Sequence, residues 1–135
     1  MIKVRLIAEP FDQIIDVYIG TDIKAIEKHV NKMNKPEEEL VLDSSYTNST
    51  AGTFYILNTK SGPYRFICLN KFSQENIQDL QNFIHELYHA IHHILKYVEV
   101  KTIDSYDELT AYLLDNLLGK FLTKIKRKSF KTLTI

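Results

Sequence analysis

With 135 residues, 44% of them apolar, the chain is long enough to bury a core of its own without a disulfide framework or a structural metal. Its 17 Lys and Arg balance 17 Asp and Glu, so there is no net field to draw in nucleic acid or an anionic membrane. The one cysteine, Cys68, excludes an internal disulfide and points to a reducing compartment. It stands in the apolar run YRFICLN, where a buried, inert thiol is expected.

The opening MIKVRLIAEPFDQ carries an acid and a proline where a secretory signal needs a longer apolar stretch, and no run approaches membrane-span length. A soluble, non-exported protein is the expectation. IKVRLIA and QIIDVYIG have the composition and length of strands, and the intervening EPFD predicts a hairpin or a sequential strand pair. GTDIKAIEKHVNKM predicts a helix with Thr21 or Asp22 as its cap and Ile23, Ile26 and Val30 as its apolar stripe. His29 lies beside that stripe as a surface or half-buried residue rather than a ligand. In the polar stretch that follows, ELVLD is a short candidate strand before a Ser/Thr/Asn-rich loop.

TFYILNT and YRFICLN, joined through KSGP, give the strongest hairpin signal. Two helices follow. Ile77, Leu80, Ile84, Leu87, Ile91, Ile94 and Val98 recur at spacings of three and four, the stripe of a long packed helix. A second helix is predicted from about Ser105 to Lys126, with Ala111, Leu114, Leu118, Phe121 and Ile125 facing inward. The basic segment KIKRKSFK then reads as a frayed, solubilising C-terminal tail from about residue 126. Strands leading into two long helices indicate a single α+β domain.

Four of the five histidines, His85, His89, His92 and His93, fall within nine positions of the first long helix. His85 and His89 are four apart, so their Cβ atoms lie about 5–6 Å from each other on one helix face. That spacing lets two imidazoles bind one zinc ion at about 2.0–2.1 Å per nitrogen. Glu86 follows the first histidine and points further round, where a carboxylate can act on water without ligating the metal. The sequence His-Glu-Leu-Tyr-His is the HExxH pattern of zinc metallopeptidases.

A catalytic zinc takes three protein ligands, and Glu108 in SYDELTAYLLD is the leading candidate for the third, with Asp107 and Asp104 as substitutes. The competing reading is a capping box, Ser105-x-x-Glu108, in which the glutamate serves its own helix. His92 is a candidate transition-state or supporting group. His93 could pair with His89 instead, and an exposed residue with no role is the alternative for both.

HELYHA, followed nineteen residues after His89 by ELTAY, resembles the zincin metallopeptidases of the gluzincin type. The layout of strands, an HExxH helix and an acidic-AY helix looks closest to small zincin-like proteins of phages and prophages. The motif match covers about residues 75 to 125. The resemblance implies His85, His89 and Glu108 as zinc ligands, Glu86 as general base, and hydrolysis of a peptide bond. It also implies an extended substrate along TFYILNT at the sheet edge, and a bacterial-cytoplasmic location, with virion association as the alternative. Thermolysin-like enzymes take an oxyanion donor from a large further domain; few residues follow the second predicted helix here, and Tyr112, Tyr106, Tyr97 and His92 are the expected candidates for that duty. A non-catalytic structural or assembly component of a phage particle is the alternative function, with phage structural proteins in place of a peptide substrate as partners. Nucleic-acid binding through the basic tail has no recognition motif behind it.

Overall fold

The computed structural model describes residues 1–36, 38–42, 52–99 and 103–133, with side chains of the last helix described between Tyr106 and Arg127. The elements run β1 (Ile2–Ala8), β2 (Gln13–Ile19), α1 (Ile23–Asn34), β3 (Gly52–Thr59), β4 (Gly62–Leu69), α2 (Ile77–Tyr97) and α3 (Ile103–Leu133). The strands form one mixed sheet in the order β1-β2-β4-β3. Both expected hairpins are present as antiparallel pairs, β1 with β2 and β3 with β4, and the parallel pairing of β2 with β4 joins them. Parallel neighbours need a crossover, which the α1 region supplies. The architecture is α+β, as the order of patterns indicates. Among the described residues, no helix is long and apolar enough to cross a membrane.

The edge strand β1 alternates, with Val4, Leu6 and Ala8 buried and Arg5 and Ile7 exposed. The central strands are covered on both faces, so β2 and β4 are buried almost continuously. One face packs under α1, where Ile23, Ile26 and Val30 meet Tyr18, Phe66 and the buried Cys68. Helix α1 is capped by Asp22, whose Oδ1 accepts the Ala25 N–H at 3.0 Å. The other face carries the larger core beneath α2 and α3. There the Phe83 and Phe121 rings stack at 4.0 Å between centroids, tying the two helices together, and Phe72 meets Phe121 edge-on at 4.9 Å.

Four expectations need correction. ELVLD is no strand over its described part: Leu40 and Leu42 are held by side chains of α1, the Leu40 backbone by both amide atoms of Asn31 and the Leu42 N–H by Glu27. Asp43 and the Ser/Thr/Asn-rich segment lie outside the described residues. The inward stripe of α3 is Leu113, Leu117, Phe121 and Ile125, with Leu114 and Leu118 flanking it and Ala111 exposed. On α2, Ile77 is exposed and Phe83, not in the expected stripe, is fully buried. The helix α3 also continues to Leu133, beyond the residue where a frayed tail is expected, and Lys124 donates to the Arg5 carbonyl.

One charge inside the α1 face is fully compensated. Asp16 is buried on β2, accepts two hydrogen bonds at 2.9 Å from Arg5 and one at 2.5 Å from Tyr64, and has Lys3 at 3.6 Å. Burial pushes its carboxyl up, but the bonds from Arg5 and Tyr64 together with the positive charge of Lys3 outweigh this and hold it below its ordinary value. Burial in turn pushes the Tyr18 hydroxyl up to about 12, and raises that of Tyr64 as well. Asp16→Asn should therefore destabilise the fold by about 2 kcal/mol, a figure discounted because Arg5 is partly exposed. The folded-state value is depressed, so the contribution is complete above the unfolded value of about 4 and is lost as pH falls through the lower folded value. Denaturant titration of the parent chain should show this loss at low pH, and the Asn variant should not.

Candidate metal and peptide site

Helix α2 starts at an Asn76 cap, whose side chain accepts the Asp79 N–H at 3.1 Å, and runs across the sheet face. Burial of Phe83, Leu87, Ala90, Ile91 and Ile94 fixes its rotation. At 100° per residue the remaining positions divide into three sectors. His85 and His89 face solvent, Glu86 and His93 face β3 and β4, and Tyr88 and His92 face the start of α3.

The two exposed histidines converge. His85 Nε2 and His89 Nε2 are 3.2 Å apart, with ring centroids 4.8 Å apart and planes at 79°. Two nitrogens bound tetrahedrally to one zinc at about 2.0–2.1 Å would be separated by about 3.3 Å. The donor set and its spacing therefore fit two ligands of one zinc ion.

Glu86 is half-buried between α2 and the edge strand, where its Oε2 accepts the Phe54 N–H at 2.8 Å. Position 52 beside it is glycine, where a Cβ would sit 2.8 Å from Leu69 Cδ2, too close, and 3.5 Å from Glu86 Cγ, an ordinary contact. β3 is an outer strand of the sheet, so TFYILNT occupies the edge that the resemblance implies. The Phe54 N–H points away from β4, and by the two-residue period of a strand the N–H and C=O of Ile56 and Asn58 face the same outer side.

Glu108 does not join the histidine pair. It is exposed and five residues before Leu113, about 140° round the helix from that inward position. The inward side of α3 near its start is held by Tyr106 and Leu109. Among the described residues, no group of three or more His, Cys, Asp and Glu side chains is assembled to hold a metal ion. For the capping-box alternative, Ser105 falls within α3, which begins at Ile103, and its side chain lies outside those described. Asp107 is exposed, and the Asp104 side chain lies outside those described.

The remaining histidines separate in role. His92 is exposed and packs its ring against Tyr106 at 5.0 Å and Tyr88 at 5.1 Å, linking α2 to α3. Burial raises the Tyr106 hydroxyl, with the neighbouring Tyr88 adding to it. Tyr112 is exposed on α3. His93 is neither a bare surface residue nor a second ligand partner for His89: its Nδ1 accepts from Arg65 Nε at 2.6 Å. Arg65 can only donate, so Nδ1 carries no proton and the neutral ring keeps its proton on Nε2. Burial first, then the charges of Arg65 and Lys96, lower the His93 pKa.

Sequence reasoning passed over Arg65. Its signal is the alternation of β4, in which residues 65, 67 and 69 share one face, so a charged side chain falls on the core side among Ile67 and Leu69.

No family model, curated protein or solved structure matches the chain. The site is thus read from its own geometry. Two outcomes check it: His85→Ala should remove zinc binding measured by elemental analysis, and Glu108→Gln should weaken it by about tenfold to a hundredfold if that carboxylate completes the ligand set. Unchanged zinc affinity in the Glu108 variant would leave the third position to another group.

Proposed function

We propose that the chain is a small zincin-like, zinc-dependent peptidase. The observation that carries this reading is the convergence of His85 and His89 Nε2 to 3.2 Å beside a glutamate seated on the edge strand. His85 and His89 would hold the ion, with Glu108, on the first turns of α3, as the candidate for the third ligand. Zinc, when bound, supplies Lewis acidity toward a water molecule and a peptide carbonyl.

The chain's own residues do the rest. An extended peptide adds to the outer side of β3, where Ile56 and Asn58 present main-chain groups, and this aligns its scissile bond with the start of α2's HExxH turn. Glu86 takes the proton of the attacking water and passes it to the leaving amine. Its bond to Phe54 uses Oε2 and fixes the carboxylate against the strand that the substrate would pair with, leaving Oε1 for the proton. His92 and Tyr112 are the side chains proposed to steady the oxyanion.

The second reading is a non-catalytic zincin-fold component of a phage particle, and the position of Glu108 outside the pair favours it. Glu86→Gln separates the two. For a peptidase, the variant should retain zinc, fold normally and lose hydrolysis of a mixed peptide library by about a hundredfold or more. A parent chain that binds zinc yet cleaves nothing in that library would favour the structural component.

A further inference from the structure

Arg65 is the one large charged side chain buried on the α2 face without an opposite charge among the described residues. It is 1% exposed. Its Nε donates to His93, its Nη1 donates to Gln13 Oε1 at 2.9 Å, and its guanidinium lies 5.0 Å from the Tyr97 ring centroid. All three partners are neutral. Its Nη2 is buried with no hydrogen-bond partner among the described residues. Desolvation lowers its pKa, yet a guanidinium stays charged in a protein, so the fold holds a cation that no described acid pairs with. Asp16, on the opposite face of the sheet, shows how this chain treats a buried charge that is purely structural: it surrounds it with counter-charges and donors.

The position of Arg65 gives the vacant donor a meaning. Arg65 is the cross-strand partner of Ile56, and both share the sheet face that carries α2. Ile56 is two residues along β3 from Phe54, about 6.6 Å, so Arg65 lies one side-chain repeat from the point where Glu86 meets the strand. Two residues that adjoin Arg65 are exposed, its cross-strand partner Ile56 at 43% and Tyr97, whose ring meets the guanidinium, at 51%. In a strand docked on the outer side of β3, the residue opposite Ile56 sends its side chain to that same face.

We infer that Arg65 is a specificity residue for a carboxylate, carried two residues from the scissile bond by a strand docked on β3. This rests on the docking proposed above. The carboxylate takes the unused Nη2–H, a charge-assisted bond, and supplies the missing negative charge. Two sources share that chemistry: an Asp or Glu side chain, and the C-terminus of the bound peptide.

The test is a binding titration in chelator, so that neither zinc nor hydrolysis enters. Three probes are used: acetyl-Lys-Thr-Val-Glu-Val-Thr-Lys-amide, the same peptide with Gln for Glu, and the Gln peptide with a free C-terminal carboxylate. The readouts are the dissociation constant and the NMR signal of the Arg65 Nε–H. Binding of the Glu peptide about tenfold or more tighter than the Gln peptide, with a shift of the Arg65 signal, is the expected result. A gain confined to the free-carboxylate probe supports the subsite and assigns it to a chain terminus. Arg65→Met should erase either preference. Should that variant fail to fold, the comparison of probes on the unaltered chain still decides. Equal affinity for all three probes overturns the inference, as does a preference that survives in Arg65→Met. No binding by any probe overturns it together with docking on β3. Zinc retention and the Glu86→Gln assay stand apart from all of these outcomes, so failure of the subsite is distinguishable from failure of the peptidase reading.

Discussion

The seating of α2 on the sheet is the constraint on which the rest of the molecule depends. Seven of its residues are buried, and Phe83, Leu87, Ala90, Ile91 and Ile94 lie at zero exposure against β4 and α3. A helix so packed cannot rotate without exposing apolar area at about 25 cal/mol per Å². Every other side chain on it therefore has a fixed azimuth. The histidine pair is presented to solvent, the glutamate to an edge strand, and an aromatic sector to the neighbouring helix, all as consequences of one buried stripe.

The same seating explains why two ionisable groups of β2 and β4 have different environments. Asp16 points to the face under α1, where Arg5, Lys3 and Tyr64, itself bonded to Tyr18, converge on it. Arg65 points to the face under α2, where the helix offers it a histidine and a tyrosine ring while Glu86 bonds the Phe54 N–H instead. A buried ion with its partners present specifies how the strands register, whereas one lacking a counter-charge marks a place where the fold alone does not complete the electrostatics.

Much of this was legible in the chain. The two hairpins, α1 with a cap at Thr21 or Asp22, and the long HExxH helix follow from alternation, turn residues and helical period, because each is a local pattern. The spacing of His85 and His89 likewise demands only four residues of helix. What the pattern does not carry is the choice between adjacent apolar rows. In α3, leucines at 113, 114, 117 and 118 offer two rows about 100° apart, and reading the 114 and 118 row as central also turned Glu108 inward. Packing against Phe83 selects the row that contains Leu113, Leu117 and Phe121, and Glu108 moves outward with it. Leu40 and Leu42 show the same limit at shorter range: a β-like composition is overridden when Asn31 and Glu27 satisfy the backbone first.

The two margins of the sheet are finished differently. On β1, Lys120 donates to the Ile7 carbonyl at 3.2 Å and Lys124 to that of Arg5, so two ammonium groups from α3 occupy acceptors that an incoming strand would need. On β3 the Phe54 N–H is engaged by Glu86. A sheet with the β1 margin obstructed in this way cannot propagate by strand addition in a row. Copies meeting edge to edge would close as a pair about a twofold axis rather than grow. A limit on assembly is in this sense written into the lysines of the last helix, far from the histidines.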